Sequence, residues 1–184
     1  TQGEVVANEV PVAKNATYNI LEDGVVTGTL VGTDADNDIL TFSIASDGSL
    51  GTVTLIDLNT GQFKYRPHAN ESGQDEFQFL VNDGNADSAI GRVSVSITAV
   101  EDIPEAGAAN FTLDPGETLQ ATLSGFDGDG DELAYTIVTT PRAGSLTLND
   151  AATGAFTFDS TDASGSLAFT YTVSDGKATS DAGT

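Results

Sequence analysis

The sequence predicts an all-β chain of two tandem β-sandwiches, and three observations carry that expectation. Arg92 to Val100 sets Val93, Val95 and Ile97 against Ser94, Ser96 and Thr98, the period of a strand with one buried face. No stretch shows a helical period. One pattern occurs twice: Leu30-Val31-Gly32-Thr33-Asp34-Ala35-Asp36-Asn37-Asp38-Ile39-Leu40-Thr41-Phe42-Ser43-Ile44 returns as Leu123-Ser124-Gly125-Phe126-Asp127-Gly128-Asp129-Gly130-Asp131-Glu132-Leu133-Ala134-Tyr135-Thr136-Ile137, displaced by 93 residues (127 − 34). A copy of that length holds one sandwich core. The composition is rich in Gly, Ser, Thr, Asn and Asp, as short strands with many turns require.

In the first copy, Val12 to Ile20 reads as a strand closed by the turn Glu22-Asp23-Gly24, and Val25 to Val31 as the second strand. An acidic loop runs from Gly32 to Asp38, and Ile39 to Ala45 follows as a strand. Thr52 to Leu58 and Gln62 to Arg66 form a hairpin about Asn59-Thr60-Gly61. A polar corner spans Pro67 to Gln74. Glu76 to Val81 is a strand ended by Asn82-Asp83-Gly84, and Arg92 to Val100 is the last.

The second copy repeats these signals from Pro104, the counterpart of Pro11, through Thr153-Gly154 and Val173-Ser174-Asp175-Gly176. The expected boundaries are 1–10 for the tail and linker of a preceding repeat, 11–102 for the first repeat and 103–184 for the second. Aromatic residues keep register: Tyr18, Phe42, Phe63, Tyr65, Phe77 and Phe79 match Phe111, Tyr135, Phe156, Phe158, Phe169 and Tyr171, which predicts core positions. Thr184 aligns with Arg92, so the second repeat has no counterpart of Ser94 to Val100, its final strand. An excised or processed piece would give this, and Thr1 is no initiator. Head-to-tail strand exchange is the alternative, with residues 1–7 of another chain supplying the strand.

Net charge is −22, from 28 acidic and 6 basic residues. No basic face is available for phosphates, which excludes nucleic acid as a partner. Anionic membrane surfaces are disfavoured, and no apolar run is long enough for membrane insertion. There is no cysteine, hence no disulfide framework. Acidity of this kind serves solubility or a salty medium, but the clustering of acids at loops in both copies points to divalent cations. Alternating carboxylates on a tight loop, Asp34, Asp36 and Asp38 and again Asp127, Asp129 and Asp131, present hard oxygens at a spacing that suits Ca2+. Neither loop is an EF-hand, because the bidentate Glu at position 12 and the helical flanks are missing.

Thr33-Asp34-Ala35-Asp36 followed by Leu40-Thr41-Phe42-Ser43-Ile44 resembles the cadherin pattern of Asp-x-Asp before a Tyr-Ser-Ile strand. Gly51-Thr52-Val53-Thr54-Leu55, Thr60-Gly61-Gln62-Phe63-Lys64-Tyr65-Arg66-Pro67 and Phe77-Gln78-Phe79-Leu80-Val81-Asn82-Asp83-Gly84 resemble the cadherin-like Ig repeats of large bacterial adhesins, often grouped with VCBS modules. The resemblance implies seven-stranded Ig-like Greek-key sandwiches strung end to end. It also implies calcium at the junctions, an extracellular or cell-surface location, and a role in adhesion, biofilm or extension from the cell. The linker Glu101-Asp102-Ile103-Pro104 has fewer polar ligands than the animal cadherin linker, and Pro115-Gly116 replaces the Glu22-Asp23 turn.

In such a sandwich the acidic loop lies at the N-terminal end of its module. Asp127, Asp129 and Asp131 are therefore expected beside the linker acids Glu101 and Asp102, with Glu22, Asp23 and Glu71 supplied from the far end of the first repeat. Asp34, Asp36 and Asp38 form the equivalent outer loop, with Glu9 as partner. Neighbouring repeats of the same chain are the first expected partners, then a cell-surface protein or glycan.

Catalysis has little footing. His68 is the only histidine, and its counterpart is Thr161. Asp114-Pro115 reads as a turn, and the triplets at Asn15, Asn70 and Asn110 fit a glycosylation pattern that arises easily by chance. The expected function is a calcium-binding structural or adhesive repeat and not an enzyme. The alternative is a polysaccharide-binding module of a secreted enzyme, against which the absence of Trp argues.

Overall fold

The computed structural model describes residues 7–161 and 163–184. Strands, turns and loops account for them, with no helix among the described residues. The chain divides into two compact units, Thr1–Val100 and Glu101–Thr184.

Among its described residues the first unit holds nine strands: β1 (Val12–Lys14), β2 (Ala16–Leu21), β3 (Val26–Thr29), β4 (Val31–Thr33), β5 (Thr41–Ser46), β6 (Gly51–Asp57), β7 (Gln62–Pro67), β8 (Gly73–Asn82) and β9 (Gly91–Thr98). One sheet has the order β2-β9-β8-β5 and the other β3-β7-β6, with β1 and β4 paired alongside. The alternation anticipated in the last strand is realised: Val93, Val95 and Ile97 are buried and meet Phe77, Phe79 and Val81 of β8 and Phe63 and Tyr65 of β7. Each such side chain contributes roughly 1.5–3 kcal/mol by leaving water.

Two expected strands are each split. Val12 to Ile20 breaks at Asn15, where the chain changes sheets: β1 runs antiparallel to β4, and β2 runs parallel to β9. The Asn15 side-chain oxygen accepts the Arg92 N–H at 2.9 Å and holds the crossing. A short polar side chain that bonds backbone in this way competes with a continuous ladder. Val25 to Val31 breaks at Leu30, whose side chain is buried while its N–H donates to the Gly61 carbonyl at 2.8 Å. Alternation alone gives no sign of either break, because both halves keep period two.

The second unit holds β10 (Glu105–Ala106), β11 (Thr118–Thr122), β12 (Gly125–Phe126), β13 (Ala134–Thr139), β14 (Ser145–Asp150), β15 (Ala155–Asp159) and β16 (Thr170–Ser174). Its sheets are β11-β15-β14, β13-β16 and the pair β10-β12. These repeat β1 and β3 to β8 in order. Among the described residues of this unit no strand matches β2, and β9 is matched by the bridge of Gly183 with Tyr171, the counterpart of Gly91 with Phe79. In the first unit every register partner of β2 lies on β9.

Phe111, expected in the core as the match of Tyr18, is 46% exposed. It still meets the edge of the Phe156 ring at 6.0 Å between centroids. An open groove of about 590 Å³ lies there, lined by Phe111, Leu119, Phe156, Phe158, Phe169 and Tyr171 among others. The residues 1–6 proposed for strand exchange lie outside the described residues.

Candidate metal centre

In the first unit the acidic loop joins β4 to β5. Asp34 organises it: its Oδ1 accepts the N–H groups of Asp36 at 2.9 Å and Asp38 at 3.2 Å. Asn37 takes the left-handed conformation, φ 62°, which closes the turn. Gly130 does the same in the second unit at φ 75°. The fold thereby brings carboxylate oxygens of Asp34, Asp36 and Asp38 within 4.8 Å of one another. Two unit charges about 4 Å apart repel by roughly 1 kcal/mol in water and about 4 kcal/mol at an effective dielectric of 20. Asp34 Oδ2 is buried and receives no hydrogen bond.

The linker closes over this loop. Glu9 N–H donates to Asp36 Oδ2 at 2.6 Å, so it is the Glu9 backbone that joins the cluster by a hydrogen bond. Asn8 Nδ2 donates to Asp83 Oδ2 at 2.9 Å, while Asp83 Oδ1 accepts the N–H groups of Asn85 and Ala86, each at 2.7 Å. The Asn8 amide foremost, then those N–H groups, hold the Asp83 carboxyl below the usual carboxylate range.

The second unit repeats the arrangement with changes at the linker and the turn. Asp127 is 7% exposed; its Oδ1 accepts the Asp131 N–H at 3.0 Å, and its buried Oδ2 has no donor. Asp102 N–H donates to Asp129 Oδ2 at 2.8 Å, as Glu9 does to Asp36. Asp175 Oδ1 accepts the N–H groups of Lys177 and Ala178, each at 2.6 Å. Those of Ala178 and then Lys177 keep its carboxyl low. The changes are at Asn8 and Asn85, whose counterparts are Glu101 and Lys177. Glu101 has no amide to offer, and Asp175 Oδ2 is buried without a donor. Lys177 Nζ instead donates to Asp131 Oδ2 at 2.6 Å and Glu101 Oε2 at 2.7 Å. Those two carboxylates raise the lysine above its ordinary range, Asp131 first.

Glu22, Asp23 and Glu71 lie at the other end of the first unit, where β9 leaves it. The ends of β2 and β8 there pair as Leu21 with Thr98 and Gly73 with Ile97. Glu22 is 4% exposed, and its carboxylate accepts the Val100 N–H. Asp23 is exposed in the turn, and Glu71 is exposed beside the left-handed Asn70.

Asp83 and Asp175 were missed as site residues, being read as turn residues ending a strand. A signal existed: aspartate stands at both positions while Asn82 becomes Ser174 and Asn85 becomes Lys177. What sequence could not show is that Asn82 pairs with Thr41 and Ser174 with Ala134, which sets these turns beside the acidic loops.

The donor set at both loops is all oxygen and strongly negative, and three of its buried oxygens lack donors. That suits a hard cation and no soft metal.

Residues 8–99 match the family model described as bacterial cadherin-like domain, and residues 101–184 the one described as bacterial Ig domain. Both are adhesion-type modules, and neither is an enzyme family. Integrin beta-like protein B of Dictyostelium discoideum is 28% identical over 113 residues, a match covering 54% of this chain and 6% of that protein. The chain therefore spans a small part of that relative's length. Among solved structures, human protocadherin-24 EC1-2 (form II) gives a TM-score of 0.54 at 17% identity, covering 91% of this chain and 88% of that one. Human CDH23 EC21-23 gives 0.51 at 17% identity, covering 95% and 69%. At such identities these structures speak to the fold alone. On the strength of residues 8–99, the chain belongs to the bacterial cadherin-like domain family, with a bacterial Ig domain directly behind.

Proposed function

We propose that this chain is a calcium-braced spacer or adhesive segment of a large extracellular protein, its acidic loops holding Ca2+. The buried Asp127 carboxylate with an oxygen that no donor reaches carries this reading. Desolvating a charge without a partner is costly, and a divalent ion offsets it. Asp34, Asp36, Asp38 and Asp83 would hold the ion in the first unit, with the Glu9 segment closing over them. Asp127, Asp129, Asp131 and Asp175 would do so in the second, beside Glu101 and Asp102. In this reading Glu22, Asp23 and Glu71 are further oxygen ligands offered by the first repeat. Without it the acids repel and the linker hinges. A target protein or glycan, and any role in biofilm, belong to the same proposal.

The test is a CaCl2 titration of the full chain followed by thermal melting and small-angle scattering. Calcium should raise the melting temperature and give a more extended, stiffer particle, and Asp127→Asn with Asp129→Asn should weaken both effects. No change in either quantity up to millimolar calcium would end the proposal.

A second reading draws on the groove at Phe111 and Phe156, which has the lining that one more strand would cover. Strand exchange between copies would fill it through residues 1–7. Light scattering over a concentration series should then show growing assemblies; a monomer throughout removes this reading.

A further inference from the structure

We infer that Lys177 is a built-in cation at the second acidic loop, holding the place that a divalent ion fills at the first, so that the two loops of one chain differ in their demand for calcium. The inference rests on the calcium reading above and concerns how this chain's own residues tune it.

The two loops are near copies in backbone. In both, the first aspartate accepts an N–H from the third, and the linker donates an N–H to the second. They differ in what neutralises them. Around Asp34, Asp36 and Asp38 the described residues provide no ion pair, and the nearby linker and turn side chains are the neutral amides Asn8 and Asn85. Around Asp131, the counterpart of Asn85 is an ammonium that bridges two carboxylates at 2.6 and 2.7 Å. Lys177 is the only lysine among residues 101–184, where Arg142 is the one other basic side chain.

Carboxylate convergence follows the same division. Three oxygens within 4.8 Å occur at the first loop, and no such trio of acids occurs at the second among the described residues. A lysine that draws Asp131 toward itself accounts for the looser set. Its side chain is 58% exposed, so it has room to leave when a stronger cation arrives. Half-exposed ion pairs are weak, so Lys177 lowers affinity without closing the site.

The experiment uses the full chain with the first loop silenced by Asp34→Asn and Asp36→Asn, and CaCl2 as the probe in calorimetric titration. Lys177→Asn, which installs the residue of the first unit, should tighten calcium binding roughly three- to tenfold, the scale of one or two half-exposed ion pairs. Lys177→Arg keeps the charge and should leave affinity near that of the parent. In the absence of calcium, Lys177→Asn should also lower the melting temperature of the second unit. Equal calcium affinity in the Lys177→Asn and parent chains overturns the inference while the calcium reading stands. Arg behaving like Asn overturns it as well. Absence of binding in every chain, the unsilenced one included, removes the calcium reading and this inference together.

Discussion

Phe77→Ala should destabilise the first unit by about 3–5 kcal/mol, the usual cost of emptying a buried phenylalanine site. Phe77 is wholly buried. Its ring meets the edge of Phe63 at 5.1 Å and stacks on Tyr65 at 6.0 Å. It stands on β8, which is hydrogen-bonded on both sides by β9 and β5, so the backbone has little freedom to collapse into the hole. For a unit of about 100 residues this shifts the melting temperature by on the order of 20 °C. Scanning calorimetry of the full chain should show one transition fall while the other stays. Phe169→Ala at the matching position of the second unit should cost about half as much. That ring is half-buried and already borders the open groove, so less contact is lost. Equal costs at the two positions would show that the groove is closed in solution.

The second large effect concerns a polar pair inside the first core. The Tyr65 hydroxyl donates to Asp75 Oδ2, and Ser49 N–H donates to Asp75 Oδ1 at 2.8 Å; Tyr65 is fully buried and Asp75 is 6% exposed. Burial pushes the Asp75 carboxyl up, yet the Tyr65 hydroxyl and the N–H groups of Ser49, Glu76 and Leu50 outweigh it and leave the carboxyl below its ordinary value. Burial, then Asp75, raises the Tyr65 hydroxyl. In the second unit the matching residues are Phe158 and Leu167, both apolar. A polar pair has been exchanged as a pair between the repeats.

Tyr65→Phe or Asp75→Leu alone should cost about 1–3 kcal/mol, because each strands a buried partner. The double variant should cost clearly less than the sum, with a coupling of about 1 kcal/mol or more. Recovery should stay partial, since Ser49 N–H still lacks its acceptor. The pH dependence follows from the depressed carboxyl. The stability Asp75 contributes is fully present above the unfolded carboxylate range and is lost as pH falls through its lower folded value. The difference between wild type and the double variant should therefore shrink in acid. Strict additivity in urea melts, or a difference independent of pH, would refute the pairing.

The repeat, the all-β class and most strands follow from local sequence. Period two, turn residues such as Asn59-Thr60-Gly61, and aromatics held in register are short-range signals that survive any tertiary arrangement. The paired acidic loops were legible for the same reason, since Asp34, Asp36 and Asp38 lie on one turn. Contacts between distant residues decided the rest. Asn15 splits a strand because Arg92 offers its N–H, and Phe111 stands half-exposed beside the groove instead of in the core. Asp83, Asp175 and Lys177 join the acidic loops because β5 with β8, and β13 with β16, carry those turns to the same end of the sheet. A one-dimensional pattern records which face a side chain takes. It does not record which remote carboxylate the fold sets opposite, and electrostatic energy depends on that distance.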